Sequence, residues 1–280
     1  LILADVLGWA DTSLYGKTAL YETPNIERLA AHGMTFSSAY ASPICSPTRA
    51  SIMTGCYPRR VGMHVDEHGG QVLRAVSRQG LHPDEITVAE LLRRQGYATK
   101  IIGKWHCGDQ PEFLPTRHGF DSYFGIPYSN DMGIQRRKTP RKRSHPPLPL
   151  LEDEAVIQEQ PDQAALTERF MEDAVQFIRK NRNTPFFLYL ALPAPHTPIV
   201  PVPPFRHASG INPYALGFAM MRDIRRMCET PTDEDRYWFR MKHDQGLPFG
   251  FTGRVDLDIV SDQDYLTEFR DGMTGYYETR

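Results

Sequence analysis

The sequence predicts an α/β protein built on a mostly parallel sheet sandwiched by helices. Three observations carry that expectation. Strand-like runs such as Phe186–Leu192 are apolar throughout instead of alternating, as strands buried on both faces are. Segments of helical period stand between these runs. Asp5, the Lys104-Trp105-His106 segment and His196 each follow closely on a strand-like run, and open parallel sheets collect their ligands beyond the carboxyl ends of the strands.

Residues 1–4 read as a first strand placed centrally in that sheet, with Asp5 opening the loop after it. Thr23 and Pro24 suit the cap and first position of a helix whose apolar face is Ile26, Leu29 and Ala30 and whose stop is Gly33. Ser46, Pro47 and Gly55 repeat that signature, which puts Cys45 directly before a helix N-terminus. Thr87 and Glu90 have capping-box spacing ahead of Leu91 and Leu92; Gly96 ends that helix and residues 97–102 read as a strand. Leu166, Phe170, Ala174, Phe177 and Ile178 share one face of a longer helix, and a Thr184-Pro185 break leads into Phe186–Leu192. Residues 131–151, aperiodic and rich in Pro, Arg and Lys, are expected as a long surface loop, and residues from about 201 to 251 as a substrate-side insertion.

Composition narrows the function. The 32 Lys+Arg and 34 Asp+Glu leave a net charge of −2, which excludes nucleic-acid binding by bulk positive charge. The basic run from Arg136 to Arg143 reads as a solvated loop, a polyanion contact or a nuclear-localisation match, offset by Glu152-Asp153-Glu154. Tyr237-Trp238-Phe239 suits a core, an interface or a cleft wall. No apolar run approaches the roughly 18 residues of a membrane span. Cys45, Cys56, Cys107 and Cys228 form neither a disulfide framework nor a C-x-x-C zinc pattern.

The sharpest local signal is Cys45-Ser46-Pro47-Thr48-Arg49. A helix N-terminus carries unpaired N–H donors and partial positive charge, so it favours an anion, and Arg49, one turn on, can reach back toward the same anion. Read without further context, the same residues describe a small buried cysteine beside a salt-bridged arginine.

Cys-x-Pro-x-Arg resembles the signature of the sulfatase family, and further motifs are similar in order. They are Leu3-Ala4-Asp5 with Leu7-Gly8-Trp9, Thr23-Pro24-Asn25-Ile26, Thr54-Gly55 with Tyr57-Pro58, Gly103-Lys104-Trp105-His106, His118-Gly119-Phe120-Asp121 and His196-Thr197-Pro198. Gly125-Ile126-Pro127-Tyr128-Ser129-Asn130-Asp131 resembles the arylsulfatase branch. The resemblance implies an alkaline-phosphatase-like fold, with residues 1–280 forming an incomplete catalytic domain that lacks its C-terminal part. It implies hydrolysis of a sulfate ester, an aryl sulfate or a sulfated glycan, to an alcohol or phenol plus sulfate. Cys45, oxidised by a formylglycine-generating enzyme, would supply the nucleophile as an aldehyde hydrate. Arg49 and Lys104 would stabilise nucleophile and sulfate oxygens, His106 would act on the hydrate's protons, His196 would meet the leaving oxygen, and Ser129 would lie beside the nucleophile on the substrate side. A divalent cation, Ca2+ before Mg2+, would be held by Asp5 and the oxygen of residue 45. Secreted, periplasmic or lysosomal placement is the family's suggestion.

Two departures stand against that pattern. The family places two adjacent aspartates after the first strand, whereas here Asp5 is followed by Val6, which offers no oxygen; Asp11 is a substitute ligand to consider. Residues 264–280 look like a helix that precedes the late metal-binding strand, so the late ligands and a further lysine are expected to lie outside this sequence. Two alternatives follow: a phosphonate or phosphate monoester hydrolase sharing the modified cysteine, and a non-catalytic protein that binds sulfated ligands.

Overall fold

Six strands pair into one sheet: β1 (Ile2–Ala4), β2 (Ala98–Lys104), β3 (Ser122–Ile126), β4 (Pro149–Glu152), β5 (Ala155–Glu159) and β6 (Phe186–Leu192). The structure is a computed structural model that describes residues 1–8, 12–15, 23–134 and 145–198, all within the compact unit Leu1–Gly210. The strand order is β1-β6-β2-β3-β4-β5. β1, β6, β2 and β3 run parallel, and β4 and β5 close that edge as antiparallel strands.

Apolar residues on consecutive positions of these strands serve two cores, because neighbouring side chains leave opposite faces of a sheet. Ile101, Tyr123, Tyr189 and Ala191 pack on one face with Ala50 and Met53 of α2 (Cys45–Thr54) and Ala89 of α3 (Val88–Arg94). Ile102, Ile126, Leu188 and Leu190 pack on the other with Leu166, Phe170 and Ala174 of α4 (Gln163–Lys180). Each fully buried large side chain contributes about 1.5–3 kcal/mol. A short amphipathic α1 (Pro24–Ala31) has no fully buried residue. Among the described residues no helix is long and apolar enough to cross a membrane.

Several local readings change. β1 lies at the end of the described sheet, not centrally, and Leu1 and Ile2 are exposed. Thr23 makes no cap bond; Ser13 takes its hydroxyl instead, at 2.8 Å. α2 begins at Cys45 with Ile44 as its cap, because the Ser46 hydroxyl accepts from the Leu73 N–H at 3.2 Å. Gly55 does stop that helix, at φ 68°. The segment expected as loop over 131–151 ends in strand: Leu148, Leu150 and Leu151 are buried and β4 pairs with β3. Proline at 146, 147 and 149 hides that strand in the sequence, and Pro149 takes a strand's first position, where its missing N–H is tolerated. The basic run at 136–143, Asp11, the 201–251 insertion, Tyr237-Trp238-Phe239 and residues 264–280 lie outside the described residues.

Candidate active site

Four parallel strands end at one edge of the sheet, and each delivers a polar group there. Asp5 follows β1, and its N–H donates to the Ala194 carbonyl at 3.1 Å, which ties the loop after β1 to the loop after β6 that carries His196. Lys104 is the last residue of β2. Beyond it the ladder to β3 continues through Trp105 to Ile126 and His106 to Pro127, both at 3.0 Å, and Ser129 follows. α2 points its N-terminus at the same place, with Cys45 in its first turn and Arg49 one turn on.

Asp5 is the hub. Its Oδ1 accepts from the Cys45 thiol at 3.4 Å. Its Oδ2 accepts from Lys104 Nζ and lies 3.5 Å from Arg49 Nη2. Lys104 Nζ also donates to Ser129 Oγ at 3.0 Å, and Arg49 Nη1 donates to the Lys104 carbonyl. Lys104 is 0% exposed and Arg49 1%. Two buried cations therefore share one carboxylate, and an excess of buried positive charge is costly unless an anion meets it. Arg49 Nε has no hydrogen-bond partner among the described residues.

The electrostatics follow from that arrangement. Burial alone would raise the Asp5 pKa, but Lys104, Arg49 and His196 together hold it well below the usual carboxylate range. Burial pushes the Cys45 thiol up, against the pull of Lys104, so the sulfur is neutral at pH 7. Burial lowers His196, and Lys104 lowers it further. Burial likewise drives His106 well below its ordinary value, with Lys104 adding to the effect.

The residues expected from sequence converge unevenly. Asp5, Cys45, Arg49, Lys104 and Ser129 form one chain of direct contacts. His196 joins them, with a donor atom within 4.8 Å of those of Asp5 and Cys45. His106 lies just beyond β2, where its φ of 58° turns the chain, and its Nε2 donates to the Leu73 carbonyl at 2.8 Å. Its Nδ1, buried with a lone pair, has no hydrogen-bond partner among the described residues. Tyr189 was not foreseen. It is buried in an all-apolar strand, and its phenol is near enough to Arg49 to affect both groups. A single hydroxyl in such a run was the available signal.

An aldehyde hydrate at residue 45 would offer such a pocket both a donor and an acceptor. Arg49 Nε needs an acceptor and His106 Nδ1 needs a donor, and a hydrate with a bound oxyanion offers both. A calcium ion is a poorer match. It takes about 6–8 oxygens, whereas the described donors are Asp5, Cys45 and His196, and Val6 adds none.

A family model described as Sulfatase matches residues 1–216, and a second, SpoVR like protein, matches residues 170–269. N-acetylgalactosamine-6-sulfatase of Sus scrofa is 38% identical over 209 residues, 71% of this chain and 40% of that protein. Arylsulfatase A of Homo sapiens is 38% identical over 229 residues, 76% of this chain and 44% of that protein. The chain thus spans less than half the length of these curated relatives. The crystal structure of Ps i-CgsB superimposes with a TM-score of 0.59 at 34% identity, covering 71% of this chain and 45% of that one. PsFucS1 sulfatase from Pseudoalteromonas sp., at 24% identity and a TM-score of 0.64 over 88% of this chain and 52% of that one, shares the fold.

Proposed function

The chain belongs to the sulfatase family, and from that premise we propose that the protein containing it hydrolyses a sulfate ester to an alcohol or phenol plus inorganic sulfate. The observation that carries this reading is the cradle at the start of α2, where Cys45, Arg49 and Lys104 all meet Asp5 and positive charge exceeds negative. The relatives act, by their names, on N-acetylgalactosamine 6-sulfate and aryl sulfates. A sulfated hexosamine glycan is the substrate class proposed here, with a formylglycine-generating enzyme as the partner that prepares residue 45.

Once converted, residue 45 supplies a hydroxyl that attacks sulfur and a second hydroxyl whose deprotonation expels the sulfate, dividing one hard step into two. Lys104 and Arg49 offer fixed positive charge to the sulfate oxygens, and both are buried, where such charge is strongest. His106 Nδ1, with its lone pair unused, accepts a hydrate proton. His196 meets the leaving oxygen, and Ser129 orients the Lys104 ammonium on the substrate side. The ion proposed is a divalent cation, calcium before magnesium, which Asp5 and the oxygen of residue 45 would hold and which would supply positive charge beside the nucleophile. Because those contacts are too few for a calcium shell, no step here runs through it.

Protein made with the converting enzyme should yield a peptide around residue 45 lighter than its cysteine form, and should hydrolyse aryl sulfate faster than aryl phosphate. Preference for phosphate would instead identify a phosphoryl or phosphonyl hydrolase. Conversion with no turnover, but with retained binding of sulfated glycan, would identify a binding protein.

A further inference from the structure

We propose that the chain with Cys45 still unconverted binds a zinc-class divalent cation through Asp5 Oδ1, Cys45 Sγ and His196 Nε2, so that the chemical state of residue 45 selects which metal the site prefers. The proposal uses three residues that also serve the function proposed above, but it concerns the chain before Cys45 is converted and does not depend on turnover.

Donor atoms of Asp5, Cys45 and His196 lie within 4.8 Å of one another. One oxygen, one sulfur and one imidazole nitrogen make a zinc-type set, whereas calcium and magnesium take oxygens. The Cys45 thiol already directs its hydrogen at Asp5 Oδ1, so two of the three ligands share a proton that a metal ion would replace. The other carboxylate oxygen is held by Lys104 and Arg49, which fixes the direction in which Oδ1 points.

His196 is prepared in the same sense. Its Nδ1 lies 2.7 Å from the Thr197 carbonyl, and a carbonyl can only accept, so Nδ1 carries the hydrogen and Nε2 the lone pair. Metal-bound histidines keep their second N–H on a carbonyl or carboxylate in this way, which sets tautomer and ring orientation. Lys104 and Arg49 oppose an added cation, but they also favour the thiolate it requires. The step balances simply: the S–H bond breaks, its proton passes to solvent, a sulfur–metal bond forms, and no electrons are transferred. Conversion removes the sulfur and puts a hydrate oxygen in its place, which moves the preference toward hard cations.

The test uses the full-length protein made without converting activity and titrated with Co2+, a spectroscopic stand-in for zinc. The expected result is a sulfur-to-cobalt charge-transfer absorption that saturates, is displaced by Zn2+ and is indifferent to Ca2+. Cys45→Ser should abolish the band although Cys56, Cys107 and Cys228 remain, and His196→Gln should weaken binding on the order of 10–100-fold. Zn2+ should also slow alkylation of the peptide that carries Cys45. Absence of the band in the unsubstituted protein would overturn the proposal, and that measurement decides the matter even if a variant fails to fold. Persistence of the band in Cys45→Ser, or displacement by Ca2+ as readily as by Zn2+, would overturn it too. Aryl sulfate hydrolysis is followed separately on converted protein, so loss of one reading leaves the other measurable.

Discussion

Asp5 is the residue on which the site's charges depend, since both Lys104 and Arg49 lean on its Oδ2 and neither reaches water. Asp5→Asn removes the only carboxylate in that group of direct contacts while keeping its shape. Leaving buried cations unpaired costs about 3–5 kcal/mol, and urea denaturation of the variant should show a loss of that size. Its neighbour shows a different strain. Val6 sits at φ 65°, where a β-branched side chain is rarely found and the backbone costs on the order of 1–3 kcal/mol. Asparagine tolerates that conformation, so Val6→Asn should raise stability by roughly 1 kcal/mol. Val6→Asp should relieve the same strain and add a carboxylate beside Asp5. A rise in melting temperature that depends on added Ca2+ is therefore expected for Val6→Asp and not for Val6→Asn. Equal behaviour of the two would show that position 6 does not touch a cation.

At the level of elements, what the sequence revealed and what it concealed divide by the range of the interaction. Phe186–Leu192 was legible because an apolar run admits few other readings, and Thr87 because its cap bond is local: its hydroxyl accepts from the Glu90 N–H at 3.2 Å. Thr23 and Ser46 carry equally good local signals and do not cap, because Ser13 and Leu73 claim their hydroxyls from elsewhere in the chain. No periodicity encodes such a competition. Thr87 also donates to the buried His118 carbonyl at 2.7 Å, so it holds both a helix start and the turn before β3. Thr87→Ala should cost about 2 kcal/mol, a lost cap plus an unpaired carbonyl, while Thr87→Ser should restore most of it. Gly103 marks a tight point of the sheet. Its φ is 108°, its Cα partners are Gly125 on one side and Ala191 on the other, and an added Cβ would collide with the Ala191 carbonyl oxygen. Since Lys104 follows directly, Gly103→Ala should displace the ammonium as well as destabilise the sheet. Chemical denaturation reads the second effect and sulfate affinity the first.

For the molecule as a whole, the parallel order of β1, β6, β2 and β3 is what turns four distant sequence positions into one site, and that much was readable from apolar runs followed by polar residues. The tightness of the site was not. Close contacts through Asp5, the turn at His106 and the depth of Arg49 depend on how two cores fix the sheet from both faces. The same burial has a consequence for stability that does not involve the site. His118 is buried beneath Trp105, with ring centroids 5.7 Å apart, and burial lowers its pKa from 6.5 to about 4. The folded state therefore keeps this imidazole neutral where the unfolded chain protonates it. Because the unfolded state binds more protons between those two values, stability rises with pH across that window and is level above it. One such histidine gives a slope of about 1.4 kcal/mol per pH unit. Unfolding free energies measured from pH 7 down to pH 4.5 should fall below about pH 6.5, and His118→Gln, which cannot take up a proton, should flatten the curve by up to that slope. A variant with the slope unchanged would mean that the fall comes from other buried groups, and that His118 gains its proton without leaving the core.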